Sequence, residues 1–171
     1  MGMVSILVAD DHGIVREGLR RLLAGEEDLQ VSGEAGDGRE VLEQVSQNQP
    51  NVVVLDISMP RLGGRETLEQ LRASHPDIKV ILLSVHSDPS FIQSAISLGA
   101  DGYVLKDGEA TEVVTAIREV MRGGSYFSPV VAREIVEQMR QQDRIILKWL
   151  SHGRLHTPAL KNWVLTRNGS P

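Results

Sequence analysis

Short apolar runs alternate with segments of helical period from the first residues to about position 123, and no other feature limits the fold as tightly. The runs are Ser5–Ala9, Leu29–Glu34, Val52–Leu55, Val80–Leu83 and Gly102–Leu105. Between them apolar residues recur three and four apart, the spacing of one helix face. Ile14, Val15, Leu19, Leu22 and Leu23 mark the first such face, and Val41, Leu42 and Val45 the second. Leu68 and Leu71 mark the third, and Phe91, Ile92, Ala95 and Ile96 the fourth; Val113, Ala116, Ile117, Val120 and Met121 mark the fifth. Five β–α units predict an α/β protein in which right-handed crossovers build a parallel sheet with helices on both faces. The runs lack strict polar alternation, as strands covered on both sides do. Gly36-Asp37-Gly38 opens the second helix, Asp88-Pro89 reads as an N-cap with proline at the first helical position, and Gly99 stands where a C′ glycine ends the fourth. Past Gly123-Gly124, Ser125-Tyr126-Phe127-Ser128-Pro129 leads into a sixth helix with Val131, Ile135, Val136 and Met139, and Gln141-Gln142-Asp143 reads as a linker.

Among the 171 residues there is no cysteine. Disulfide scaffolds, thiolate metal sites and cysteine nucleophiles are therefore excluded. The longest aliphatic runs are four residues, too short to span a membrane. The start lacks a basic segment followed by a long apolar one, so the expectation is a cytoplasmic protein with no membrane partner. Net charge is −5, divided between +4 over residues 141–171 and −9 over the rest. Phosphate contact needs a basic face, which an acidic body does not offer. The scattered cations of the tail read as a solvated segment.

In an open parallel sheet, ligands bind beyond the carboxyl ends of the strands. The residues that follow the runs there are Asp10-Asp11, Asp56, Ser84 and Lys106. Singly, each has an ordinary use: a helix cap, a turn, a loop hydroxyl, a solvated cation. Together they do not, because three carboxylates on one edge repel unless a cation offsets them. Hard oxygen ligands suit Mg²⁺. A carboxylate beside such an ion can attack a phosphoryl group and become an aspartyl phosphate, with lysine and serine holding the remaining phosphoryl oxygens. Competing chemistries lack their residues. There is no G-x-G-x-x-G, no G-K-[ST] and no G-x-S-x-G. An aspartate-nucleophile enzyme of the haloacid-dehalogenase type wants a second aspartate two residues on, where Ser58 stands. An interaction domain with an inert site is the remaining rival, distinguished by failure to take up phosphoryl groups.

Asp10-Asp11-His12, Asp56-Ile57-Ser58-Met59-Pro60 with Gly63-Gly64, Leu83-Ser84 and Tyr103-Val104-Leu105-Lys106-Asp107 follow one another in this order. Over residues 3–123 the sequence thereby resembles the receiver domain of two-component response regulators. Asp10-Asp11-His12, Lys106-Asp107 and Tyr126-Phe127-Ser128-Pro129 resemble most the NarL/FixJ (LuxR-type) transcription regulators. The resemblance implies a flavodoxin-like, doubly wound five-stranded sheet in the order 2-1-3-4-5, with a C-terminal helical extension. The domains would be a receiver over 1–123, an extension and linker helix over 124–142, and a short basic tail over 143–171. It implies a signalling domain rather than an enzyme, with Asp56 accepting a phosphoryl group from a sensor histidine kinase. Asp10, Asp11, Asp56 and the Ser58 backbone carbonyl would hold Mg²⁺. Ser84 and Lys106 would hold the phosphoryl oxygens, and Tyr103 would be the aromatic switch that turns inward when Ser84 is recruited. Partners would be the kinase, a second copy in a phosphorylation-dependent homodimer, and DNA only in the intact parent protein.

Two residues depart from the common pattern. Val85 follows Ser84 where a smaller residue is frequent, narrowing access to Asp56. Asp107 follows Lys106 in place of proline. The subfamily continues into a helix-turn-helix domain, which needs roughly 56 residues. Only 31 residues follow position 140, and Gly153 and Pro158 interrupt them. The expectation is that this chain does not read DNA sequence by itself.

Overall fold

The computed structural model describes residues 2–151, with side chains to residue 144. Most of the basic tail, with the readings made of it, lies outside the described residues. The elements alternate as β1 (Val4–Ala9), α1 (Gly13–Ala24), β2 (Leu29–Ala35), α2 (Gly38–Asn48), β3 (Val52–Asp56), α3 (Gly64–Ser74), β4 (Lys79–Ser84), α4 (Pro89–Ser97), β5 (Gly102–Leu105) and α5 (Thr111–Met121). A two-residue strand, β6 (Tyr126–Phe127), and helix α6 (Pro129–Ser151) follow. All strands pair in parallel, in the order β2-β1-β3-β4-β5-β6.

Adjacent residues of each central strand face opposite layers, and that alternation creates two cores. Leu7, Val53, Leu55, Val80 and Leu82 pack with Val41 and Val45 of α2, Leu68 and Leu71 of α3, and Ile92 and Ala95 of α4. Ile6, Val8, Val52, Val54, Ile81 and Leu83 pack with Leu19 and Leu23 of α1 and Val113, Ala116, Ile117 and Val120 of α5. Each fully buried aliphatic side chain contributes about 1.5–3 kcal/mol relative to exposure, so the sheet is anchored from both faces.

The expected five strands are present in their expected order, and the structure adds a sixth. Tyr126 lies opposite Gly102 and Phe127 opposite Tyr103. Ser128 extends this edge: its N–H donates to the Tyr103 carbonyl at 2.9 Å, and its buried hydroxyl accepts the Leu105 N–H and donates to Glu112. Residues 126–131, placed by the sequence in an extension, thus pack with the sheet, and Val131 is fully buried in its core. Gln141-Gln142-Asp143 is helical rather than a linker. No glycine or proline interrupts the chain from Val130 to Ser151, and glutamine is a good helix former. The chain divides into two compact units between Ile135 and Val136.

Two glycines place the loops around the strand ends. A Cβ on Gly64 would collide with the Asp56 carbonyl and stand 2.7 Å from Ile57 Cα, so only glycine lets α3 begin this close to β3. Gly99 has φ +83° and follows the last residues of α4 as expected of a C′ glycine.

Candidate functional site

Strands β1, β3, β4 and β5 run in register, so their last residues meet at one edge. Asp10 follows β1, Asp56 and Ser84 end β3 and β4, and Lys106 follows β5. Asp10, Asp56 and Ser84 are buried. The Lys106 ammonium donates to Asp10 Oδ2 at 2.6 Å and stands 3.1 Å from Asp56 Oδ1. Asp56 Oδ1 also accepts the Ser58 N–H at 3.1 Å. Its other oxygen, Oδ2, is buried with no hydrogen-bond partner.

Such an orphan is costly, since a buried acceptor that loses water without a partner forfeits about 1–3 kcal/mol. The electrostatics agree. Burial first, and the Asp10 charge second, push the Asp56 carboxyl above the usual carboxylate range, and the Ser58 N–H and Lys106 offset this only in part. Burial works against the Lys106 ammonium, but its hydrogen bonds to Asp10 and Asp56 outweigh that and raise its pKa.

Asp11 is more exposed than its neighbour, and the ligand atoms of Asp10, Asp11, His12 and Asp56 lie within 4.8 Å of one another. His12 was not among the expected site residues. Its Nδ1 lies 3.1 Å from Asp10 Oδ1 and 3.0 Å from Asp11 Oδ1, and its place beside the paired aspartates in sequence was the available signal. Neither aspartate caps α1 by its side chain to a helical N–H; instead Asp10 Oδ1 accepts the N–H of His12, the N-cap residue. Ser58 is exposed in the loop that follows Asp56.

Ser84 Oγ accepts the His86 N–H at 2.9 Å. Tyr103 has no exposed surface, and its hydroxyl donates to the His86 carbonyl at 2.7 Å; burial raises its pKa. The ring is thus already inside. His86 in turn stacks on Phe91 of α4, with ring centroids 4.6 Å apart, so one residue joins Ser84 and Tyr103 through its backbone and α4 through its ring. Val85, beside Ser84, is exposed.

The family described as the response regulator receiver domain matches residues 6–118. The chain belongs to that family. The transcriptional regulatory protein DegU of Brevibacillus brevis is 36% identical over 138 residues, which cover 81% of this chain and 58% of DegU. A LuxR-family two-component response regulator from Aurantimonas sp. SI85-9A1 is 33% identical, with a TM-score of 0.78 over 81% of this chain and 99% of that one. A structure of two RcsB dimers bound to two parallel DNAs gives 26% identity and a TM-score of 0.73, over 78% of this chain and 68% of that one. The chain spans about three-fifths of the length of the curated relatives it matches. It is therefore a receiver domain of the kind carried by two-component transcription regulators. Among the described residues, no helix is long and apolar enough to cross a membrane.

Proposed function

We propose that this receiver domain accepts a phosphoryl group on Asp56 from a sensor histidine kinase and changes its outer surface in response. The observation that carries the reading is Asp56 Oδ2, a buried carboxylate oxygen without a partner beside an ammonium and a second carboxylate. An oxygen left free in that position is available as a nucleophile. Asp56 attacks phosphorus, an O–P bond forms, and the bond from phosphorus to the donor's leaving group breaks. With a phosphohistidine donor the leaving group is the imidazole nitrogen.

The residues present fit a divalent cation, because hard carboxylate oxygens converge and one of them is orphaned. Asp10, Asp11, Asp56 and the Ser58 carbonyl would hold Mg²⁺. When bound, the ion supplies positive charge against the oxygens of the transferring group. Lys106, whose ammonium stands 3.1 Å from Asp56 Oδ1, would take one phosphoryl oxygen, exchanging part of that contact. Ser84, whose oxygen accepts the His86 N–H, would donate its hydroxyl proton to another phosphoryl oxygen. Because His86 also binds Tyr103 and stacks on Phe91, movement of Ser84 shifts the balance between two packings of α4 and β5. The output is a changed surface rather than a released product, so the domain is a switch and not an enzyme acting on a separate substrate. A second copy of the chain and, in the full-length protein, DNA are its further proposed partners, in line with the RcsB dimers bound to DNA, and the proposed site of action is cytoplasmic.

Intact-mass measurement after incubation with acetyl phosphate and Mg²⁺ tests the reading. The parent gains one phosphoryl group and Asp56→Asn gains none. A phosphoryl group retained by Asp56→Asn sinks the assignment, and a parent that gains none favours the inert interaction domain.

A further inference from the structure

The loop between β3 and α3 carries Ser58 and also Arg61, which no motif marks and which Asp37 grips from outside the loop. Arg61 has φ +62°, in the left-handed region that side chains other than glycine and asparagine seldom occupy. A residue held there needs an interaction that fixes it. Its Nε donates to Asp37 Oδ2 at 2.5 Å, and Nη2 pairs with the same oxygen. Asp37 is only 2% exposed and stands at the N-cap of α2. Its two oxygens divide their roles. Oδ1 accepts the N–H groups of Arg39 and Glu40 at 2.8 and 3.0 Å, while Oδ2 faces Arg61. These bonds, that of the Glu40 N–H foremost, hold the Asp37 carboxyl below the usual range, so it stays charged at neutral pH.

The backbone reinforces the grip. The Gly38 N–H donates to the Leu62 carbonyl at 3.0 Å, Leu62 N–H to Pro60 at 2.7 Å, and Gly64 N–H to Ile57 at 3.0 Å. At its start the loop is tied to Asp56 Oδ1 through the Ser58 N–H. Ile57 and Met59 pack against the core, while Ser58, Pro60 and Arg61 are exposed, so these ties order the outer part of the loop that packing does not reach.

We infer that Arg61, clamped by Asp37, is a positioning residue that holds the β3–α3 loop, and Ser58 with it, in register with Asp56 and Asp10 for binding a divalent cation. This rests on the receiver-site reading above. Groups that fix the ligands of a metal from behind set its affinity, because an unfixed ligand must be ordered when the ion binds. The alternative, that Asp37 only caps α2, leaves Arg61 without a role. Oδ1 alone completes the cap, so truncating Arg61 separates the two.

Calorimetric titration of the full chain with Mg²⁺ is the test, on the parent, Arg61→Ala, Asp37→Asn, the double variant and Arg61→Lys. Each truncation is expected to weaken Mg²⁺ by about tenfold. The double variant should be within about twofold of either single, the signature of two residues acting as one unit. Arg61→Lys should recover part of the loss. Phosphorylation by acetyl phosphate at saturating Mg²⁺ should be unchanged, and in the metal-free protein the Leu62 and Gly64 amides, both hydrogen-bonded within the loop, should exchange faster in Arg61→Ala. Arg61 is exposed and its truncation leaves the core and the cap intact, so this variant carries the test even if Asp37→Asn folds poorly. If the parent binds Mg²⁺ and Arg61→Ala binds it equally well, the positioning role is wrong while the receiver reading stands. A parent that binds no Mg²⁺ overturns both.

Discussion

The two edges of the parallel sheet use the same residue types in opposite ways. Where the strands begin, charges are matched. Arg72 donates to the carbonyls of Gly99 and Ile78 and to Asp101 at 2.7–2.8 Å; Asp101 also accepts the Val80 N–H and faces Lys79. Asn51 accepts the Ser5 N–H, and Arg118 spans Asp28 and Glu26. Where the strands end, two buried carboxylates share one ammonium, and an oxygen of Asp56 is left over. One edge is completed by the chain's own groups, and at the other a buried carboxylate oxygen has no partner among the described residues. A fold whose local choices otherwise agree can carry one such conflict, and conflicts of this kind mark functional sites.

If the starting edge carries stability, breaking it should have the largest effect of any single substitution at either edge. Arg72→Ala removes three hydrogen bonds from a mostly buried guanidinium and strips Asp101 of its main partner. The cost is expected at about 2–4 kcal/mol, a fall in Tm of roughly 4–16 °C. Phosphorylation of Asp56 at low temperature should persist. Thermal unfolding followed by circular dichroism measures the loss, and a loss below about 1 kcal/mol would mean that the matched edge is not what holds the sheet.

The ending edge was largely legible in the sequence, and the starting edge was not. In a parallel sheet whatever follows each strand converges, so Asp10, Asp56, Ser84 and Lys106 could be grouped once the apolar runs were found. The Arg72–Asp101 and Arg61–Asp37 pairs join residues 29 and 24 positions apart through side-chain directions that no run or period encodes. Strand β6 was missed because Tyr126 and Phe127 are too few to show a period; pairing with β5 makes them a strand. The helical Gln141-Gln142-Asp143 shows the converse, as polar residues read as a linker carry a helix on through the absence of any breaker. His86 was invisible for a different reason: its contacts with Ser84 and Tyr103 run through its backbone.

Relieving the unmatched edge should have a smaller effect of opposite sign. Asp56 has a higher pKa folded than unfolded. Such a carboxyl favours the fold below its unfolded value of about 3.9, and that contribution is lost as pH rises through the folded value. At neutral pH the metal-free protein therefore carries an unfavourable charge at this edge. Asp56→Asn keeps the shape and removes it, and should raise Tm by roughly 2–4 °C, near 1 kcal/mol. The gap should close as pH falls toward about 4. Saturating Mg²⁺ should narrow or reverse it, because binding stabilises the parent. Equal Tm values at neutral pH without metal would show that Lys106 already balances the site.

The smallest effect is expected at the rim of the starting edge. The Arg118 hydrogen bond is the chief reason that Asp28 lies below the usual carboxylate range. Here the sign reverses: a carboxyl with a depressed folded pKa stabilises the fold above its unfolded value and loses that contribution as pH falls through the folded one. Both partners are well exposed, and solvent screening keeps such pairs weak. Arg118→Gln should therefore lower Tm slightly at neutral pH, less so in high salt, where the screening length shrinks to about 3 Å at 1 M. Acid should erase the difference. One pH series on the parent, Asp56→Asn and Arg118→Gln then separates the two edges, since both gaps close toward acid, the first with the variant above the parent and the second with it below. If Arg118→Gln stays below the parent by the same margin in acid and in salt, the loss comes from packing of the arginine's aliphatic stem, and charge matching at this edge ends with Arg72 and Asp101.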